Sequence, residues 1–284
     1  MQSLLGDHIR WVRSLSHDPI DNLAFERWAL EEDVDERPLF YCYINRPSIV
    51  IGRNQQLFAE VNVPFCDEQG IQICRRVSGG GTVYHDLGNL NIGLVMPKSL
   101  KLVNDYHFFL DWPRQALQRH GLDTVLNTRN AILCQGKKIS GSAQFAGRNK
   151  LLTHCTLLVD SNLNHLEESI SSPLVTHSKA LSSVRSEVVN LKSFGLSMES
   201  VIELLMAELQ AMFTTVGHEE VVAKKLQSHR QLMQSWDWVY GRSPKASIIY
   251  NGHQYTVSKG RLVDHDTLQG LAFDHFLRGD LSAE

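Results

Sequence analysis

The most informative stretch of the sequence is RRVSGGGTVYHDLGNLNI, residues 75–92, in which three consecutive glycines separate two predicted strands. Glycine leaves backbone N–H groups unshielded and permits positive φ angles, and successive amides in such a loop can bind an anion. Arg75 and Arg76 precede the glycines and carry permanently charged donors. The stretch predicts a phosphate- or anion-binding loop; a flexible turn beside two solvated arginines is the alternative. Neither Walker nor Rossmann spacing is present.

A second candidate segment is GKKISGSAQ, residues 136–144, the second half of a predicted hairpin that turns at Gln135-Gly136. Strand alternation sends Lys137 and Lys138 to opposite faces. One of them must point inward, where a lysine is costly unless it meets an anion. The small residues 140–143 would let a ligand approach closely. We interpret the inward lysine as a group that neutralises a bound acyl phosphate; a surface hairpin with solvated lysines is the alternative.

A third segment is the predicted strand LLTHCTLLVD, residues 151–160. His154 and Cys155 are neighbours and therefore face opposite sides of the strand, so they form a poor Cys–His nucleophilic pair. His154 is more typical of a structural histidine, whereas His85, just after the glycines, is a better ligand contact. The five cysteines include no C-x-x-C pair, which predicts reduced thiols and no zinc site.

Composition excludes several classes of protein. The 284 residues carry 28 Lys+Arg and 31 Asp+Glu, a net charge of -3, which excludes a strongly basic protein that grips a nucleic-acid backbone. No apolar run approaches the roughly 18 residues of a membrane span, and the first 15 residues lack the apolar core of a signal peptide. We therefore expect a cytoplasmic enzyme without nucleic-acid or membrane partners.

Helices and strands are mixed without regular βαβ alternation, which predicts an α+β fold. Helices are expected from Asp18-Pro19, over 60–69, over 101–120 with a kink or a restart at Pro113, and after Ser197. The character of the sequence changes near residue 235, where SWDWVYGRSP leads into a predicted β-meander with turns at Asn251-Gly252 and Lys259-Gly260. We predict a catalytic domain over 1–235 and a short accessory region over 236–284.

Four blocks together resemble the lipoate–protein ligases: RRVSGGGTVYHDLGN, GKKISGSA, THCTLLVD and SVRSEVVNL (183–191). The resemblance covers about residues 18–245, and SWDWVYGRSP resembles the start of that family's accessory domain. It implies a biotin/lipoate-ligase-like α+β catalytic domain, with mixed sheets flanked by helices and a shortened β-rich accessory region. The implied reaction is activation of lipoate with ATP and Mg²⁺ to lipoyl-AMP. The lipoyl group then passes to a lysine of a 2-oxoacid dehydrogenase E2 subunit or of the glycine-cleavage H protein.

By the same resemblance, Lys138 would contact both ATP and the lipoyl carboxyl oxygen and would be the catalytic residue. The nucleotide phosphate and adenylate would be held by Arg76, Gly81, Thr82, Val83 and Tyr84. Further candidates are His85, Ser140 and His154. Many family members have Arg-Asn-Asp where this chain has Arg129-Asn130-Ala131, so we name no metal ligand.

The main alternative is a lipoyl- or octanoyl-transferase that uses preformed acyl-adenylate or a carrier-bound acyl group. Carrier-dependent relatives use a cysteine, and no cysteine follows Cys155. A biotin ligase is disfavoured because the Gly-Arg-Gly-Arg loop of that family is absent. An inactive binding module is disfavoured because Lys138 and the glycine loop are both intact. A basic patch for an acidic acceptor could include Lys98, Lys101, Arg114 and Arg119, although solvated helix charges explain them equally well.

Overall fold

The computed structural model describes residues 2–281, with side chains from residue 4 onward. The chain forms two compact units, each assembled from separated segments. The first unit comprises the described parts of Met1–Arg46, His85–Asn162 and Arg185–His229, and the second comprises Pro47–Tyr84, Leu163–Val184 and the described part of Arg230–Glu284. The division at residue 235 stays a prediction. No helix within residues 2–281 has the length and apolar character needed to cross a membrane.

The helices and strands alternate irregularly along the chain. The helices are α1 (Gln2–Leu5), α2 (Pro19–Glu31), α3 (Leu57–Glu60), α4 (Val63–Glu68), α5 (His107–Arg119), α6 (Leu163–Ser169), α7 (Met198–Met212), α8 (Gln227–Gln234), α9 (Trp236–Val239) and α10 (Phe273–Leu277). The strands are β1 (His8–Arg13), β2 (Leu39–Ile44), β3 (Ser48–Ile51), β4 (Gln72–Arg75), β5 (Val83–His85), β6 (Asn89–Pro97), β7 (Thr124–Leu126), β8 (Ile132–Cys134), β9 (Lys137–Lys138), β10 (Ser142–Ala146), β11 (Lys150–Leu158), β12 (Val175–Ser178), β13 (Thr215–Glu219), β14 (Ala246–Tyr250), β15 (His253–Ser258) and β16 (Arg261–Leu262).

A six-stranded sheet in the order β10-β11-β6-β2-β1-β13 organises the first unit. Its members from β10 to β2 are antiparallel, whereas β1 runs parallel to both β2 and β13. One face is covered by α5 and α7, whose apolar residues join the sheet in one core. Trp112 anchors this core, because its ring meets Phe40 edge-on at 5.0 Å and its indole N–H donates to the Leu205 carbonyl at 3.0 Å. The hairpin β8–β9 forms a separate three-stranded sheet with β7.

The second unit contains two small sheets. The strands β3 and β4 pair in parallel within the order β4-β3-β5, and the C-terminal meander extends β12 in the order β12-β14-β15-β16. Phe58 of α3 meets Phe273 of α10 edge-on at 4.9 Å, so residues near the C-terminus share a core with the segment that follows β3. The mixture of parallel and antiparallel pairs confirms the predicted α+β class.

Local signals predicted some element boundaries and missed others. Asp18 caps α2 through Ile20 N–H, as the Asp-Pro pair predicted. The helix predicted over 60–69 is confirmed as α4, but it begins three residues later, at Val63, because Asn62 caps it and α3 ends at Glu60. The helix expected from residue 101 begins only at His107, because Asn104 adopts a left-handed φ of 67°. That helix continues through Pro113 as one element.

The predicted turns are confirmed by their backbone angles. Gln135 and Gly136 have φ values of 50° and 80°, the left-handed pair that a two-residue hairpin needs. The same pattern occurs at Asn251-Gly252 (49° and 78°) and Lys259-Gly260 (49° and 75°), which join the meander strands β14, β15 and β16.

Candidate active site

The glycine loop, residues 78–82, follows β4 and lies against the turn that follows β3. A Cβ atom on Gly52 would lie 2.1 Å from the Gly80 carbonyl oxygen, so only glycine fits at this approach. Arg53 N–H donates to the Ser78 carbonyl at 2.8 Å. The turn at residues 52–55 therefore holds the base of the glycine loop by backbone contact.

Arg76 is buried beneath the glycine loop, with 5% of its surface exposed. Its guanidinium donates to the carbonyl oxygens of Val50 (2.8 Å), Gly79 (2.6 Å) and Gly81 (2.7 Å) and to Ser78 Oγ (3.0 Å). These hydrogen bonds of the Arg76 side chain therefore stabilise the conformation of the glycine loop. Its predicted contact with a nucleotide phosphate stays a prediction.

The contacts of Arg76 determine which way the loop amides point. In a trans peptide the C=O and the following N–H point in opposite directions, and no cis bond occurs among the described residues. Because Arg76 draws the carbonyls of Gly79 and Gly81 toward itself, the N–H groups of Gly80 and Thr82 turn away from it. Alternate amides facing one side are the arrangement that binds an anion.

An oxygen acceptor already occupies one of these outward amides. Thr82 N–H donates to Ser183 Oγ at 2.9 Å, and Gln55 Nε2 donates to the same oxygen at 3.1 Å. The Gln55 amide oxygen accepts from Thr82 Oγ1 at 3.0 Å, and Glu60 accepts from Ser183 N–H at 3.1 and 3.2 Å. The fourth sequence block, which begins at Ser183, therefore contacts the glycine loop directly.

Val83 and Tyr84 continue from the loop into β5. Val83 is half-buried, and Tyr84 is 2% exposed with its ring 6.4 Å from His165. The Tyr84 side chain therefore belongs to the core of the second unit. The predicted role of these two residues, through their backbone, stays a prediction.

Lys138 lies on the hairpin of the first unit, and its surroundings differ from those of Lys137. Lys137 is exposed and pairs with Glu187 at 2.6 Å. Lys138 is half-buried, and its ammonium has no hydrogen-bond or ion-pair partner among the described residues. Burial, together with the charge of Arg129, lowers the pKa of Lys138. A partly buried cation without a counter-ion is suited to receive an anion.

Two neighbouring elements fix the position of Lys138. Its backbone N–H donates to Glu187 O at 2.9 Å, and its carbonyl accepts from Val189 N–H at 3.1 Å. The side chain lies over Gly141, where an added Cβ atom would lie 3.4 Å from the Lys138 Nζ atom. Ser140, a further candidate, is 1% exposed, and its buried hydroxyl has no hydrogen-bond partner among the described residues.

The two candidate histidines are both engaged in buried polar contacts. His85 is 3% exposed, and its Nδ1 lies 3.0 Å from Asn45 Nδ2. Because the Asn45 amide nitrogen is a donor, His85 Nδ1 is the acceptor in this bond. His154 Nδ1 lies 2.9 Å from Glu26 Oε1. Neither of these hydrogen bonds joins a histidine to a cysteine, as a Cys–His nucleophilic pair would require.

The sequence interpretation missed a buried cluster around Glu26 on α2. Its Oε1 atom accepts from Tyr41 at 2.7 Å and Tyr43 at 3.1 Å as well as facing His154. Burial alone would raise the pKa of Glu26, but His154 and the tyrosine hydroxyls hold that pKa below its ordinary value. A Cβ atom on Gly93 would lie 2.1 Å from Tyr41 Oη, so glycine leaves room for the cluster. No local sequence signal marks Glu26, because its partners lie 15 to 128 residues away in the chain.

Cys155 is a core residue. It is 4% exposed, it packs in the apolar core of the first unit, and burial raises the pKa of its thiol to about 12. His154 faces Glu26 instead, as strand alternation predicted. All five cysteines are buried and unbridged.

Arg75 is not available to bind a phosphate or carboxylate, so the expectation that it could donate to such an anion is wrong. Its side chain is 0% exposed, and its donors are taken by the carbonyl oxygens of Gly52, Arg53, Gln55 and Val239 and by Ser243 Oγ. A buried guanidinium that donates only to carbonyl and hydroxyl oxygens of the protein has a structural role. No sequence pattern distinguishes this arginine from the adjacent Arg76.

Among the described residues, no group of three or more His, Cys, Asp or Glu side chains could hold a metal ion. The Mg²⁺ that the family resemblance implies stays a prediction.

Comparisons with known proteins identify the family. Residues 18–210 match the family model described as the lipoyl protein ligase A/B catalytic domain. The chain is 36% identical to the lipoate–protein ligase LplJ of Bacillus subtilis over 83% of its own length and 74% of that protein. It is 34% identical to the mitochondrial lipoyl amidotransferase LIPT1 of Mus musculus, covering 85% of this chain and 68% of that protein.

Solved structures support the same fold. The T. acidophilum protein Ta0514 with bound lipoic acid superposes with a TM-score of 0.68 at 21% identity, covering 82% of this chain and 99% of that one. Lipoate–protein ligase A bound with ATP gives a TM-score of 0.67 at 22% identity, covering 79% and 93%. The resemblance seen in the four sequence blocks is confirmed, and the chain belongs to the lipoate–protein ligase family of enzymes.

Proposed function

We propose that this enzyme activates lipoate with ATP and transfers the lipoyl group to a lysine of an acceptor protein. The observation that carries this proposal is the glycine loop, in which buried Arg76 turns the amides of Gly80 and Thr82 outward. Such amides bind phosphate oxygens, which an adenylate-forming enzyme must hold. The structural neighbour lipoate–protein ligase A, solved with bound ATP, and the similarity to the ligase LplJ support the same substrate pair.

The proposed first step forms an acyl-adenylate. A lipoate carboxylate oxygen attacks the α-phosphorus of ATP, the bond to the bridging oxygen breaks, and pyrophosphate leaves with the electron pair. The Gly80 amide would hold a phosphate oxygen during this step, and the Thr82 amide would do so once its hydrogen bond to Ser183 Oγ is released. The Lys138 ammonium would stabilise negative charge that develops on the phosphate and acyl oxygens, a contribution worth about 2.7–4 kcal/mol for a preorganised donor. Magnesium would act as the counter-ion of ATP.

The proposed second step forms an amide. The neutral ε-amine of an acceptor lysine attacks the lipoyl carbonyl carbon, the C–O bond to AMP breaks, and AMP leaves while the nitrogen loses a proton. The acceptor classes are E2 lipoyl domains and the glycine-cleavage H protein, in the cytoplasm. A structural neighbour, the bi-partite lipoate protein ligase of Thermoplasma acidophilum, was described together with its E2 lipoyl domain and supports the first of these.

A second candidate is transfer from preformed adenylate or from a carrier-bound acyl group. One observation favours it: the 34% identity to an enzyme named as an amidotransferase. Transfer through a cysteine thioester is opposed by the burial of all five thiols, since the thiolate is the reactive form. The two candidate functions differ in whether ATP and free lipoate are sufficient for lipoylation of the acceptor protein.

The test combines purified enzyme, ATP, magnesium and free lipoate, followed by an apo E2 lipoyl domain. We expect release of pyrophosphate and a lipoyl-sized mass gain on the acceptor. Mass gain only with synthetic lipoyl-AMP would contradict activation and establish the transferase. Mass gain only from an acyl carrier protein would establish carrier-dependent transfer. Absence of product with every donor would overturn the proposal.

A further inference from the structure

Arg75 is a fully buried cation whose partners lie on two sides. On one side its guanidinium donates to the carbonyls of Gly52 at 3.0 Å and Gln55 at 2.9 Å. On the other it donates to the Val239 carbonyl at 2.9 Å and to Ser243 Oγ at 3.0 Å. No carboxylate pairs with Arg75 among residues 4–281, so its charge is balanced by oriented dipoles alone.

The C-terminal side of this contact is a compact set of three residues, Trp238, Val239 and Ser243, which we call the tail anchor. Trp238 Nε1–H donates to the carbonyl of Arg75 at 2.7 Å, so the anchor holds the backbone of Arg75 as well as its side chain. All three residues are buried, at 6%, 4% and 3% exposure. Buried hydrogen bonds of this kind are costly to break, because the unpaired partner stays desolvated.

The other side of the contact leads directly to the glycine loop. The Arg75 carbonyl belongs to the peptide that joins it to Arg76, the residue that turns the loop amides outward. Gly52 lies against the Gly80 carbonyl, and Gln55 accepts from Thr82 Oγ1 at 3.0 Å. A shift of the tail anchor would therefore reach the loop through both Arg76 and the turn at residues 52–55.

We propose that the tail anchor is a positioning element for the glycine loop, and that it acts on nucleotide binding through Arg75. This inference rests on the proposed function, because it assigns the loop to ATP. It gives the region after residue 235 a role in activation, although that region supplies none of the predicted site residues. Burial and the nearby Arg242 and Arg76 lower the pKa of Arg75 to about 9.

The chain offers a matched pair of tryptophans for the test. Trp238 and Trp236 lie on the same short helix, α9, but Trp236 Nε1–H donates to Asp274 Oδ1 at 3.1 Å within the tail. Trp238→Phe removes the hydrogen bond to Arg75 and keeps an aromatic ring, and Trp236→Phe makes the same change away from Arg75. Ser243→Ala removes the second anchor contact, and Ser243→Thr keeps the hydroxyl.

Steady-state kinetics on the full-length enzyme provide the first readout. We expect Trp238→Phe and Ser243→Ala to raise the KM for ATP about fivefold, the effect of losing about one buried hydrogen bond, with the KM for lipoate little changed. Ser243→Thr restores the KM for ATP, and Trp236→Phe leaves it unchanged. An equal rise in both tryptophan variants, or no rise in Trp238→Phe and Ser243→Ala, would overturn the inference.

Amide hydrogen exchange without nucleotide separates this inference from the proposed function. In Trp238→Phe, residues 79–82 should exchange at least threefold faster than in Trp236→Phe. Equal exchange in the two variants would contradict positioning even if the wild-type enzyme proved active. Conversely, a wild-type enzyme that releases no pyrophosphate while the exchange difference appears would refute the proposed function and leave the structural coupling intact.

Discussion

Adjacent residues of the same type have different chemistry in this protein because of what surrounds them. Lys137 pairs with Glu187 in solvent, whereas Lys138 is half-buried without a partner among the described residues. Arg75 and Arg76 are both buried, yet one supports the C-terminal region and the other shapes the glycine loop. Sequence alternation could separate the two lysines, because they lie on a strand. It could not assign Arg75, whose partners lie 20 to 168 residues away in the chain.

The lysine pair provides the first prediction. Lys138→Ala should reduce the rate of lipoyl transfer about 100-fold or more, because it removes a preorganised donor for the developing charge. Lys137→Ala on the same hairpin should retain activity within about twofold, since an exposed ion pair contributes little. The measurement is the initial rate of mass gain on an apo acceptor domain. Comparable losses in both variants would indicate that the hairpin, not the Lys138 ammonium, is what matters.

A second prediction concerns Cys155. Since burial raises its thiol pKa to about 12, the thiolate is scarce at neutral pH. Cys155→Ala should keep most of the lipoyl transfer activity, and the native thiol should react with iodoacetamide at least tenfold more slowly than in the urea-unfolded chain. Loss of transfer in a folded Cys155→Ala protein, together with an acyl-enzyme adduct on the wild type, would instead establish a thioester mechanism.

At the scale of elements, short-range signals predicted turns and strands well and long-range contacts poorly. The Gln135-Gly136 hairpin follows from two residues that accept left-handed φ angles. The glycine loop was recognisable from its composition, but its conformation depends on Arg76 and on the approach of Gly52. Thr82 N–H donates to Ser183 Oγ, which lies 101 residues away in the chain. The family resemblance predicted the order of the sequence blocks but not this contact between two of them.

The close approach at Gly52 gives a third prediction. Gly52→Ala should lower the free energy of unfolding by about 1–3 kcal/mol, because the added methyl meets a backbone carbonyl that cannot rotate away. Gly79→Ala is the matched control, since nothing lies within 4 Å of the added atom. Urea unfolding of both variants provides the measurement. If Gly79→Ala unfolds like wild type but loses activity, the open space beside Gly79 is where a ligand approaches.

At the scale of the whole molecule, the sequence predicted the family and the α+β class but not how segments combine. Both compact units draw on three separated segments, so a change of composition near residue 235 could not reveal this arrangement. The region after that residue shares a unit with Pro47–Tyr84. The buried Glu26 cluster was equally hidden, because a glutamate on helix α2 does not disclose its partners on the strands β2 and β11.

The distribution of buried and paired carboxylates predicts how the whole molecule responds to acid. Arg37 lowers the pKa of Asp35 to about 2. The pKa values of Asp33 and Glu26, despite burial, and of the exposed Glu199 are also lowered by their cationic and hydrogen-bonding partners. A carboxyl group with a lower pKa in the folded state binds fewer protons there than in the unfolded chain. Its stabilising contribution is therefore complete above the unfolded pKa, about 4, and is lost as the pH falls toward the folded value.

We accordingly expect the urea midpoint of the wild-type protein to fall steeply between pH 5 and pH 2.5. Asp35→Asn should be less stable than wild type at pH 7 but should lose less stability across that interval, because one of the proton-linked groups is gone. Glu36→Gln is the control: Glu36 is the exposed neighbour of Asp35 and has no ion-pair partner among the described residues. Its acid profile should parallel that of the wild type. If Asp35→Asn also ran parallel to the wild type over the interval, the Asp35–Arg37 pair would contribute nothing to acid stability, and the remaining buried carboxylates would have to account for the whole decline.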